Sequence, residues 1–363
     1  MMVVGPSSGG ISRHVLGLLS RLDRAAYRPL LVCDPESRLY QDARQLGIEA
    51  AGLSIPGGVR PLRALQSAGW MADLLRRSGA SLVHAHGFSA GVVSALARRR
   101  SRLPVKLVCT IHNLAPAGTS ARMGEALVIG SANLIIFVSE SLRSGYRLNG
   151  SARSKAMVIP NGLDLEEFRQ LGRAEARRVL GLADQPVAGM VGRLAPQKGV
   201  LELVRAASLA SRVRPGLTFL VIGEGPLMKP AVELGRELGL GDAIRFLGRR
   251  ERAGELMLAF DLVVIPSLSE GSSLVAMEAM AAGRPIIASR VGGLAEVVGE
   301  AGVLVPPGDP EALAEAICQL LSDPGRGRVL AQAGRRRVEQ CFDLRSMVER
   351  TEQAYRELVE EVA

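Results

Sequence analysis

Apolar residues fall in short unbroken runs along this chain, at 30–33, 82–84, 106–110, 134–138, 187–191, 217–222, 262–265 and 285–288. Continuous runs of three to six residues, bounded by turn formers, are what strands covered on both faces require, whereas a half-solvated strand alternates. A short strand is also expected at 2–4 and another at 156–160. Between the runs, apolar positions recur every three or four residues and predict helices over 14–22, 62–77, 91–99, 201–211, 274–282 and 311–321. Strand and helix alternate in this way twice over. The pattern predicts two doubly wound α/β domains, each with a parallel sheet.

The boundary is expected near residues 165–185, where a charged segment follows the turn at Asn161 and Gly162. This gives a first domain over 1–170, a second over 171–343, and a final helix over 344–363 that crosses back to the first. In open parallel sheets ligands bind beyond the carboxyl ends of the strands. Two such domains facing one another make a cleft with a site on each wall.

Composition narrows the class. Of the 363 residues 47% are apolar, enough for two cores, but only 3% are aromatic, so burial rests on Leu, Val, Ile and Ala. The longest uncharged stretch, 78–97, contains His84, His86 and Gly87 and reads as strand, loop and helix rather than a membrane span. No secretory leader is read in MMVVGPSSGG, and four scattered cysteines without metal or redox spacing suit a reducing cytoplasm.

Charge is unevenly divided. Residues 1–170 hold 21 Lys and Arg against 11 Asp and Glu, whereas residues 171–363 hold 24 against 25. The excess of +9 therefore belongs to the first half. It suits an anionic partner there, a phosphorylated acceptor or the head groups of an anionic membrane, or else a solvated Arg-rich surface. No aromatics interleave the basic residues, so a nucleic-acid partner is not expected.

Two segments carry candidate chemistry. In PSLSEGSSLVAMEAMAAGRP, Glu270 lies in a loop after a strand, Ser272 or Ser273 is placed to cap a helix, and Glu278 falls inside that helix. A helix N-terminus favours a phosphate, and carboxylates pair with vicinal hydroxyls, so one Glu can hold a ribose and the other a hexose. In VGRLAPQKGV, Gly192 and Arg193 follow a strand and Lys198 precedes the next helix. Two cations at such a turn can bracket a diphosphate and neutralise a leaving group. The chain uses 41 Arg and only 4 Lys, so a Lys at this turn stands out. Either segment alone is also compatible with ordinary surface charge.

Together the segments resemble the retaining glycosyltransferases of GT-B fold, family 4. The Glu-x7-Glu pattern falls on Glu270 and Glu278, and the G-R-L-x-x-x-K-G segment on Gly192, Arg193, Lys198 and Gly199. The G-x-G-P turn matches Gly223, Gly225 and Pro226, and the Asn-Gly-x-Asp turn matches Asn161, Gly162 and Asp164. The resemblance implies that Arg193 and Lys198 bind the donor diphosphate, Glu278 the ribose and Glu270 the transferred sugar. It places the amides of Ser272, Ser273 and Leu274 near the donor, with Gly9, Gly10, Gly192, Gly223 and Gly271 lining the site. It implies no metal and no cofactor beyond the nucleotide-sugar substrate. One departure is that the family's Glu-Gly-Phe-Gly reads Glu270, Gly271, Ser272, Ser273 here, and loss of the second glycine restricts the backbone.

The histidines all lie in the first half. His84 and His86 end one strand and His112 ends the next, so they are expected on the acceptor side of a shared crevice. His112 matches the family's Thr-x-His segment and ranks first for contact with acceptor or sugar. The expected reaction is transfer of a sugar, with retention, from a nucleoside-diphosphate sugar to a carbohydrate or lipid-linked acceptor. Its expected setting is cell-envelope polysaccharide or glycolipid synthesis, in the cytoplasm or peripherally at the inner membrane face. Two other readings remain at this stage, a nucleotide-sugar epimerase of the same architecture and a catalytically silent sugar-nucleotide-binding scaffold.

Overall fold

The computed structural model describes residues 1–6, 9–57, 60–114, 118–169 and 172–360. The chain divides into two compact units, one made of Met1–Gly162 and Leu344–Ala363, the other of Leu163–Asp343. The expected boundary between residues 170 and 171 lies outside the described residues. The division falls earlier because Leu163 and Phe168 are buried in the core of the second unit, where the amide of Leu163 also donates to the carbonyl of Phe342 at 2.8 Å.

The first unit is built on seven parallel strands, β1 (Met2–Val4), β2 (Leu30–Cys33), β3 (Glu49–Gly52), β4 (Leu82–His86), β5 (Lys106–Ile111), β6 (Leu134–Phe137) and β7 (Ala156–Val158). They lie in the order β3-β2-β1-β4-β5-β6-β7. Successive side chains alternate between faces. Val83 and Ala85 join the core under helices Pro61–Ser78 and Phe88–Ser101. His84 and His86 therefore point to the opposite face. That face is covered by helix Gly10–Arg21, through Val15, Leu18 and Leu19, and by helix Leu344–Glu360, through Leu344, Met347, Val348, Tyr355 and Leu358.

The second unit has six parallel strands, β8 (Val187–Val191), β9 (Thr218–Ile222), β10 (Ile244–Phe246), β11 (Leu262–Ile265), β12 (Ile286–Ser289) and β13 (Val303–Val305), in the order β10-β9-β8-β11-β12-β13. One face is closed by helices Val200–Val213 and Pro310–Ser322, the other by helix Leu274–Ala281 and the Phe260 region. The strand order reverses at β1/β4 in one sheet and at β8/β11 in the other. These switch points are where a doubly wound sheet opens a crevice. Among the described residues no helix is long and apolar enough to cross a membrane.

Candidate active site

In the second unit the switch point is walled by the loops that follow β8 and β11. Gly192 and exposed Arg193 leave the end of β8, and Lys198 sits on the 3-10 turn Pro196–Lys198. Lys198 Nζ donates to Glu270 Oε2 across the two loops. Ser267 Oγ donates to the same oxygen at 3.4 Å, and the amide of Leu268 donates to the carbonyl of Gln197 at 2.8 Å. Glycine makes this approach possible. Gly199 has φ +66°, and a Cβ there would stand 1.8 Å from the carbonyl oxygen of Pro266. Gly223, at φ +148°, likewise would put a Cβ 1.8 Å from the carbonyl oxygen of Gly192, so the turn after β9 lies directly against that after β8.

The charges differ in exposure. The side chains of Lys198 and Glu270 are 25% and 11% accessible, so the ion pair is largely shielded from solvent screening. Arg193 is exposed and no described residue pairs with it.

Beyond Glu270 and buried Gly271, Ser273 caps helix Leu274–Ala281, its Oγ accepting from the amide of Ala276 at 3.3 Å. The amide of Ala276 is thus satisfied, which moves the open donors of the first turn to Leu274 and Val275. Ser272 does not cap. Its Oγ is buried without a hydrogen-bond partner at the same helix end. Glu278 is 4% exposed, and its carboxyl carbon lies 3.4 Å from where a Cβ on Gly254 would stand.

In the first unit the switch point gathers all four histidines. Gly9 caps the helix in which Gly10 is the first residue and His14 lies one turn in. His86 ends β4, and His112 directly follows β5. Ring centroids of His14 lie 5.4 Å from those of His86 and 4.9 Å from those of His112, and His86 Nδ1 is 3.3 Å from His112 Nε2. His84 is placed differently from expectation. Its Nδ1 meets the hydroxyl of Tyr355 and its Nε2 that of Thr110 at 2.6 Å, which leaves neither nitrogen for an acceptor. It is a neighbour of the site, stacked against His86 at 4.1 Å.

Burial removes the charge that these rings ordinarily carry below neutrality. It lowers His14 to about 4, against the opposing pull of the Asn161 side chain. It holds His84, His86 and His112 well below the usual imidazole range, and each is lowered further by its histidine neighbours. His14 and Asn161 were not singled out as site residues in the sequence. A histidine on an amphipathic helix carries no local signal, and only the sheet order places it opposite His86. Their polar atoms His14 Nδ1 and Asn161 Oδ1, with His86 Nε2, are buried without hydrogen-bond partners.

Two family descriptions match the chain, "Glycosyltransferase Family 4" over residues 8–167 and "Glycosyl transferases group 1" over residues 185–323. The D-inositol 3-phosphate glycosyltransferase of Acidothermus cellulolyticus is 34% identical over 359 residues, covering 88% of this chain and 79% of that protein. The protein of the same description from Nocardia farcinica is 38% identical, over 68% of this chain and 60% of its own length. The match therefore spans less than two thirds of that relative. Among solved structures, Anabaena HepE in complex with UDP-glucose superposes with a TM-score of 0.85 at 25% identity, covering 99% of each chain. The chain belongs to the group 1, family 4 glycosyltransferases, and its two Rossmann-like units are those of the GT-B fold.

Proposed function

We propose that this chain transfers a sugar, with retention of anomeric configuration, from a nucleoside-diphosphate sugar held by the second unit to a hydroxyl of a phosphorylated acceptor. The observation that carries the reading is the pairing of Lys198 with Glu270 at a switch-point crevice, beside a helix N-terminus with an unpartnered buried Ser272 hydroxyl. In the fold the two charges satisfy one another. A diphosphate competes for Lys198, joined by Arg193, the amides of Leu274 and Val275 and the Ser272 hydroxyl. Glu270, released, accepts hydrogen bonds from the transferred sugar, while Glu278 accepts those of the ribose.

The acceptor hydroxyl attacks the anomeric carbon from the face that the diphosphate leaves. The new C–O bond forms as the carbon–phosphate-oxygen bond breaks, and the leaving phosphate oxygen takes the acceptor's proton. Lys198, Arg193 and the helix amides stabilise the charge that develops on that oxygen, so this step calls for no metal. His112, neutral and next to His86, touches the acceptor or the sugar as a hydrogen-bonding group. A phosphorylated polyol is favoured as acceptor by the net +10 of residues 1–170 and by the relatives described as D-inositol 3-phosphate glycosyltransferases. Cell-envelope glycoconjugate synthesis is the setting that suits such a product.

Calorimetry with UDP, UDP-glucose and their guanosine counterparts tests the donor. Saturable binding of at least one of them is expected, weakened in K198A. Product analysis with inositol 3-phosphate as acceptor should then yield a glycoside of the donor's own anomeric configuration. Inversion, or a sugar isomerised without acceptor, would overturn the mechanism, and failure to bind any nucleotide would overturn the donor site.

A further inference from the structure

We propose that His14, His86 and His112 form a binding site for one divalent ion of the zinc class, within the first unit and apart from the donor residues. One nitrogen from each of the three rings lies within 4.8 Å of the other two. His86 Nδ1 and His112 Nε2 are hydrogen-bonded to one another at 3.3 Å, and a metal replacing the shared proton finds them already at an edge of the coordination tetrahedron, since Zn–N bonds of about 2.0–2.1 Å set adjacent ligand atoms about 3.3–3.4 Å apart. His14 closes the triangle from the facing helix by a small side-chain movement.

The polar atoms of the cluster point the same way. His14 Nδ1 is buried and makes no hydrogen bond, and burying a polar atom in this way is costly unless a ligand satisfies it. The rings are 4%, 1% and 6% exposed and neutral, which is the form that donates a lone pair to a metal. Asn161, beside His14 with its own Oδ1 unpartnered, supplies the outer acceptor that a ligated imidazole's N–H needs. His84 is no ligand, because Tyr355 and Thr110 occupy both its nitrogens. Three imidazoles without a carboxylate select zinc, cobalt, nickel or copper over magnesium or calcium. The fourth position is left to water or an anion.

Ligation takes a nitrogen of His112 out of contact with sugar or acceptor, so the metal inhibits transfer. That consequence rests on the function proposed above, whereas binding does not. The full chain, stripped with a chelator, is titrated with Zn2+ by calorimetry and with Co2+ by the visible absorption of tetrahedral cobalt. One equivalent is expected, with affinity lowered more than about 100-fold in H14Q and in H112Q, beyond the typical loss of an outer-shell partner. It should be unchanged in C341S, which removes an exposed thiol. Far-UV circular dichroism selects the folded variants, and either of the two histidine variants suffices. Absence of stoichiometric binding to the folded chain overturns the site, as does undiminished binding by a folded variant. If zinc binds but transfer proceeds at its full rate, the site stands and the role given to His112 falls.

Discussion

The two switch points are built on the same topology and hold opposite electrostatics. After β8 and β11 stand Arg193, Lys198 and Glu270, partly solvated and charged. After β1, β4 and β5 stand imidazoles that burial keeps neutral. Under the proposed function, charge suits a crevice that holds a diphosphate and stabilises the negative charge that develops on its leaving oxygen. Neutral hydrogen-bonding groups suit hydroxyls, which need orientation more than attraction. The division follows from residue choice at strand ends alone, since both sheets place their ends alike.

The sharpest challenge to this contrast is K198A. Loss of one preorganised charge at a leaving group typically costs about 100–1000-fold in kcat, and a steady-state assay with saturating donor reads it. A kcat within a few-fold of the native value would mean that the charged crevice does not serve the leaving group.

The neutral crevice is tested by pH. His14 titrates near 4 in the fold and near 6.5 when unfolded. Between those values the unfolded chain binds more protons, so the stability this residue contributes is whole above pH 6.5 and is lost as pH falls toward 4. The shift is worth about 3 kcal/mol. Urea unfolding midpoints across that window should fall less steeply in H14Q than in the native chain. Parallel profiles would mean that the ring is hydrated and the polarity contrast false.

Two smaller effects sharpen the geometry of the charged side. G199A forces a side chain into a left-handed backbone against the carbonyl of Pro266 and should cost about 2 kcal/mol or more in denaturant unfolding. S273A removes the cap of helix Leu274–Ala281 and should cost about 1 kcal/mol, with a measurable loss of donor affinity. Donor affinity that is indifferent to S273A would detach the helix end from the phosphate.

Much of the architecture was legible because strands buried on both faces announce themselves as unbroken apolar runs. The strands that escaped, β3, β10 and β13, are edge strands of three or four residues. β3 reads Glu-Ala-Ala-Gly with both ends exposed, so no apolar run marks it. The loops bearing Arg193, Lys198 and Glu270 were visible as charge set at strand ends. The commitment of His84 to Tyr355 was not, because it joins residues 271 positions apart. Nor was the buried Ser272 hydroxyl, since serine at a helix start reads equally as a cap.

The helix Leu344–Glu360 completes the first unit only after the whole second unit has been made. On the ribosome, Val15, Leu18 and Leu19 of helix Gly10–Arg21 are left without Leu344, Met347 and Tyr355 until the chain beyond the second unit emerges. The second unit is contiguous and can close first. Because Tyr355 holds His84 and His84 stacks on His86, the histidine crevice is assembled only after the second unit has been synthesised. A nascent chain thus has the loops bearing Arg193, Lys198 and Glu270 in place before its histidine crevice is complete.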